Sequence, residues 1–161
     1  TNGTSWTSRT SGTSSDLYGA AYGNGLWVAV GNGGTILTST NGTSWTSRSS
    51  GTSLELYGAA YGNGLWVVVG FNGTIRTSPD GTSWTSRSSG TTSHLRSVVY
   101  ANGLWVVVGS NGTVLASLDD ITWIPRDSGT TSALRDVACA NGLCVVVGYN
   151  GTISTAQVIT L

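Results

Sequence analysis

Leu56-Tyr57-Gly58-Ala59-Ala60-Tyr61, then Asn63-Gly64, then Leu65-Trp66-Val67-Val68-Val69-Gly70, is the stretch on which the fold turns. The first segment is a strand of small and aromatic residues. Asn-Gly is the dipeptide that a two-residue hairpin turn with left-handed backbone requires. The second segment is apolar at every position from Leu65 to Val69, the mark of a strand buried on both faces. The continuation fits the same chemistry. Gly70 to Gly73 form a loop, Thr74 to Ser78 a third strand, Asp80-Gly81 a turn, and Ser83 to Arg87 a fourth strand. Ser88 to His94 lead to the next unit.

That unit recurs without insertion or deletion. Trp6, Trp45, Trp84 and Trp123 are spaced by 39 residues, as are Arg9, Arg48, Arg87 and Arg126, and Gly31, Gly70, Gly109 and Gly148. Trp27, Trp66 and Trp105 keep the step, and Cys144 takes the fourth place. Val, Ile, Thr, Tyr and Trp dominate the apolar runs, and no long stretch has helical periodicity, so the repeat is all-β. A period near 40 with one Trp per unit fits the four-stranded blade of a β-propeller. The expected architecture is one domain over residues 1–161, with blades near 17–48, 56–87, 95–126 and 134–155. The N-terminal strand within residues 1–9 (Thr4 to Arg9) is expected to complete the last blade and remove its exposed edge. A closed four-bladed ring, half of an eight-bladed ring made by two chains, and a fragment of a longer array all satisfy the repeat. Gln157 to Leu161 leave the pattern, as an extra strand or a link onward.

Composition narrows the function. The 161 residues have zero formal net charge, only 9% charged residues, seven Arg and no Lys. Nucleic-acid binding needs clustered cations to neutralise phosphates, and none are clustered here. No apolar run exceeds about six residues, against about 20 for a membrane span. No signal peptide is visible, and Met is absent even at position 1, as in a processed chain or a segment of a longer one.

The turns Ser39-Thr40-Asn41-Gly42-Thr43-Ser44-Trp45, Ser78-Pro79-Asp80-Gly81-Thr82-Ser83-Trp84 and Ser117-Leu118-Asp119-Asp120-Ile121-Thr122-Trp123 resemble the Asp-box of bacterial neuraminidase repeats. The Leu-Trp-Val-Val-Val-Gly and Asn-Gly-Thr-Ile segments are similar to propellers of the photosystem II assembly factor type. Ser to Trp is one residue shorter here than in the Asp-box, and Asn replaces Asp at Asn2 and Asn41. The resemblance implies a structural turn in which the Asx side chain binds backbone and the Trp fills space between strands. The enzymes of that class carry an arginine cluster, a Tyr–Glu pair and an acidic proton donor. This chain has a single Glu, Glu55, and no match to that set. No catalytic residues, cofactor or metal site are expected.

Positions that vary between repeats are free of the fold's demands, so they are the candidates for specificity. Asp16, Glu55, His94 and Ala133 are equivalent, and so are Tyr18, Tyr57, Arg96 and Arg135 just after them. Asn32, Phe71, Ser110 and Tyr149 are equivalent in the loop after the second strand. These two loops share one face of a propeller. Their aromatic, acidic and basic residues suit a glycan or a protein ligand. Arg9, Arg48, Arg87 and Arg126 either cap the fold or form an anion-binding ring of guanidinium groups. The expected function is a non-catalytic, secreted or surface binding module, lectin-like or protein-binding. The alternative is a structural repeat that self-assembles as a homo-oligomer into a larger ring, fibre or layer.

Cys139 replaces a Tyr and Cys144 a Trp, on the two strands flanking Asn141-Gly142. The hairpin sets them opposite each other, within reach of a disulfide. Such a bond implies an oxidising setting: extracellular, cell-surface or periplasmic. The Asn-Gly-Thr triplets at Asn2, Asn41, Asn72, Asn111 and Asn150 match the glycosylation pattern, but turn formation accounts for their recurrence.

Overall fold

A computed structural model describes residues 2–158. The chain is a β-propeller arc of four blades. Blade I holds β1 (Leu17–Gly23), β2 (Leu26–Gly31), β3 (Ile36–Ser39) and β4 (Thr46–Arg48). Blade II holds β5 (Leu56–Gly62), β6 (Leu65–Gly70), β7 (Ile75–Ser78) and β8 (Thr85–Arg87). Blade III holds β9 (Leu95–Ala101), β10 (Leu104–Gly109), β11 (Val114–Ser117) and β12 (Ile124–Arg126). Blade IV holds β13 (Leu134–Ala140), β14 (Leu143–Gly148) and β15 (Ile153–Gln157). Each sheet is antiparallel with strands in chain order.

The continuous apolar runs are the second strands, and their side chains alternate between two seams. Trp66 and Val68 point to blade I, into a buried cluster with Val28, Val30, Ile36 and Leu56. Val67 and Val69 point to blade III, with Ile75, Leu95, Trp105 and Leu115. A third cluster joins blades III and IV around Val106, Val108, Leu134 and Val146. Fully burying a side chain such as Val contributes roughly 1.5–3 kcal/mol, and each blade has access to that only through its neighbours.

Local chemistry sets the corners. Asn63 and Gly64 both have positive φ (50° and 76°), the geometry of a type I′ hairpin turn. Between the third and fourth strands, Asp80 Oδ1 accepts the backbone N–H groups of Thr82 and Ser83 at 2.8 and 2.9 Å, while Ser78 Oγ accepts that of Gly81. Asn41 makes the same bonds with its amide oxygen. Asp119 repeats them and adds the Thr122 hydroxyl. These donors lower the pKa of Asp80, and that of Asp119 to about 2.

Cys139 and Cys144 pair across the β13–β14 hairpin and form the expected disulfide. It stands where the other blades have a tilted aromatic pair: Tyr22–Trp27, Tyr61–Trp66 and Tyr100–Trp105.

The expected closure of blade IV by the N-terminal strand is not made within this chain. The fourth sheet has three strands, and residues 4–9 carry no strand and are exposed. First strands pack on one another in the order β1, β5, β9, β13, with no comparable packing of β13 on β1. The last blade is therefore not packed against the first. Gln157 ends β15 and Val158 is buried against blade III, its N–H donating to the Gly142 carbonyl at 2.7 Å. The expectation for the final residues otherwise falls outside the described range.

Two outcomes follow from these corners. Native protein exposes no thiol to alkylation, and reducing the six-residue Cys139–Cys144 loop costs about 2 kcal/mol by the chain-entropy relation; denaturant melts with and without reductant measure it. The folded pKa of Asp80 and Asp119 lies below the unfolded value. The stability they add is therefore complete above about pH 4 and is lost as pH falls towards 2. The D80N/D119N variant keeps the turn bonds without a titrating group, and its thermal midpoint falls less between pH 4 and 2 than that of the parent.

Candidate functional site

The first strand of every blade carries a β-bulge at one position. Leu56 faces Gly70 and Gly58 faces Val69, so Tyr57 is the extra residue. The same shift isolates Tyr18 in β1, Arg96 in β9 and Arg135 in β13. A bulged residue is released from the sheet's alternation, which lets a strand re-aim one side chain. Here the four re-aimed side chains converge at one end of the channel, around a cavity of about 480 Å³. A second cavity of about 380 Å³ continues it between the first strands, past Gly58, Ser97 and Asp136.

Close backbone approach makes this end compact. A Cβ on Gly19 would lie 2.6 Å from the Tyr57 carbonyl oxygen, so blade I cannot carry a side chain there without a shift, and one on Gly58 of blade II would sit tightly, 3.0 Å from the Arg96 carbonyl oxygen. Blades III and IV instead carry Ser97 and Asp136, and the Ser97 hydroxyl donates to Asp136 Oδ1 at 2.7 Å. Asp136 also accepts the Val137 N–H.

The side chains form a row. The Arg96 guanidinium lies 4.2 Å from the Tyr57 ring centre, and that of Arg135 lies 4.4 Å from Tyr149. Tyr18 and Tyr57 meet at 5.6 Å. Stacking on an aromatic face holds each guanidinium plane in place while its N–H fork stays free for a ligand. Desolvation raises the pKa of the Tyr18 phenol, and the nearby Asp16 adds to the effect.

The two variable loops do share this face, because the backbone ties them together. The carbonyl of Glu55 accepts the Phe71 N–H at 2.8 Å; Asp16 and Asn32, His94 and Ser110, and Ala133 and Tyr149 repeat the bond. The adjacent Gly70 permits it, since a Cβ there would lie 2.0 Å from the Glu55 carbonyl oxygen. His94 stacks on Phe71 at 4.1 Å, and its Nδ1 accepts the Asn72 N–H at 3.2 Å, which ties it into the loop.

The recurrent arginines do not join the site. Arg48 and Arg87 sit on outer strands, where each Nε donates to a threonine hydroxyl across the sheet, Thr38 at 2.9 Å and Thr77 at 3.0 Å. Arg126 faces Ala116's strand without such a hydroxyl, and Arg9 lies on the exposed N-terminal segment. An arginine ring around one anion is therefore replaced by a structural role for Arg48 and Arg87. Ser97 and Asp136 belong to the mouth and escaped the sequence reading. Their signal was the change from Gly to Ser to Asp at one repeat position. Among the described residues no group of three or more His, Cys, Asp or Glu could hold a metal ion, and no helix is long and apolar enough to cross a membrane.

The chain matches no protein-family model and no curated protein. Solved structures share its fold. The computationally designed Ika4 protein superposes with TM-score 0.73 at 16% identity, over 91% of this chain and 94% of that one. YCF48 bound to D1 peptide gives 0.72 at 16% identity, over 90% of this chain and 51% of that one. The WD40 propeller domain of Doa1 gives 0.71 at 14% identity, over 90% and 52%. The chain thus spans about half the length of the last two.

Proposed function

We propose that the chain is a non-catalytic binding module that holds an acidic, extended segment of a protein across the channel mouth. The observation that carries this is the row of bulge-aimed side chains, in which Arg96 and Arg135 lie over tyrosine rings with their donor forks free. Paired guanidinium forks suit carboxylates bidentately, and tyrosine supplies rigid contact area for a peptide backbone. Asp136, the acidic group in the wall, is already engaged by Ser97 and Val137, which fits a positioning role better than proton transfer. One propeller of the same fold was solved with a peptide bound, which agrees with this use of the architecture. A glycan is the second reading, favoured by the exposed rings of Tyr18 and Tyr149. The Cys139–Cys144 disulfide supports a secreted or surface setting.

A fluorescent glutamate-rich peptide, a serine–glycine control peptide and a glycan array separate these readings. The glutamate-rich peptide binds, and the R96A/R135A variant loses about 10- to 100-fold in affinity, the range for hydrogen bonds to charged groups. Equal binding of both peptides, or an unaffected variant, overturns the proposal; array hits without peptide binding transfer it to a glycan.

A further inference from the structure

Each internal seam joins the trailing face of one blade to the leading face of the next. The two outermost blades leave one face of each kind uncovered. Leu17 is 42% exposed where its equivalents Leu56, Leu95 and Leu134 are fully buried. Trp27 is 40% exposed, against 1% for Trp66. At the other end Ile153 is 68% exposed, against 0% for Ile36. In the seam between blades I and II, Val28, Val30 and Ile36 pack on Leu56 and Trp66. One repeat step places Val145, Val147 and Ile153 of blade IV against Leu17 and Trp27 of a blade I. The uncovered faces are complementary to each other.

The outer strand tells the same story. β3 pairs with β4 through Ile36–Arg48, Leu37–Ser47 and Thr38–Thr46. The equivalent pairs are Ile153–Arg9, Ser154–Ser8 and Thr155–Thr7; among the described residues β15 pairs only with β14 and keeps its outer edge open, and residues 7–9 join no sheet. Trp6 is 91% exposed, whereas its equivalent Trp123 is 7% exposed in the seam between blades II and III. Between blades III and IV an apolar groove of about 340 Å³, lined by Leu104, Val106, Ala116, Cys144 and Val146, lies one step from the seat of Trp123.

We infer that two copies of this chain close one eight-bladed ring. Residues 4–9 of each become the outer strand of the partner's blade IV, and Trp6 enters the partner's groove. The occupant is a second copy because the faces match only head to tail. The arc leaves β13 away from β1, and it superposes on about half of two larger propellers. A head-to-tail contact closes at two subunits when each spans half the circle. The ring also completes the channel mouth. As Tyr57 stands beside Tyr18, the partner's Tyr18 stands beside Arg135, and the row of tyrosines and arginines occurs twice about one axis.

Sedimentation and native mass spectrometry of the 161-residue chain test this. The expected species is a dimer of about 33 kDa, twice the 16.5 kDa chain, with no larger oligomer. Trp6→Ala removes a side chain exposed in the single chain, so the blades remain folded by circular dichroism, while the dimer weakens at least about 30-fold. L17R and I153D each abolish the homodimer. Mixed, they form a heterodimer, because one of its two seams is wild type and the other pairs Arg with Asp. A monomer, a larger ring or polymer, or a dimer indifferent to all three substitutions overturns the proposal.

Discussion

The structure depends on the fact that no blade can bury itself. Its second strand is apolar on both sides, so Val67 and Val69 need blade III just as Trp66 and Val68 need blade I. A lone sheet of this composition would present two greasy faces to water. Stacking blades at a constant register turns those faces into seams, and the constancy of the 39-residue step follows. A single inserted residue in a strand would exchange its two faces and spoil two seams together.

That tight framework is also what makes the channel mouth. Backbone contact between first strands, as at Gly19 and Tyr57, leaves little room at the axis. The bulge at positions 18, 57, 96 and 135 lifts one side chain per blade out of the crowd and points it towards a common opening. The fold therefore demands a residue at this position without dictating its type. Two blades carry Tyr and two carry Arg; Arg96 stacks on Tyr57 within this row, and Arg135 stacks on Tyr149 of the adjoining loop, in place of a symmetric ring.

Much of this was legible in the chain itself. Asn-Gly turns, apolar second strands and the Asn41 and Asp80 corners fall within a residue or two of their observed places, since they rest on local chemistry. So does the Cys139–Cys144 pairing, which needs only hairpin register. The variable loops stand out where the repeats differ, and the carbonyl–amide tie between them explains why they lie together. The recurrent arginines left two readings open, capping of the fold or an anion ring, because a repeated cation does not reveal its partner; Arg48 and Arg87 bond locally to Thr38 and Thr77, as capping requires. Curvature was not legible at all. The angle between blades is a small rotation summed over many side-chain contacts, and no residue type encodes how many blades fill a circle.

The corner between third and fourth strands accepts an amide oxygen at Asn41 and a carboxylate oxygen at Asp80 with the same pair of backbone donors. Electric charge on the outer circumference is thus decoupled from backbone shape. A lineage can add or remove one negative charge per blade by a single substitution and keep every turn. Mutual repulsion between molecules, and with it colloidal behaviour in salt, can drift across generations while the architecture stands still.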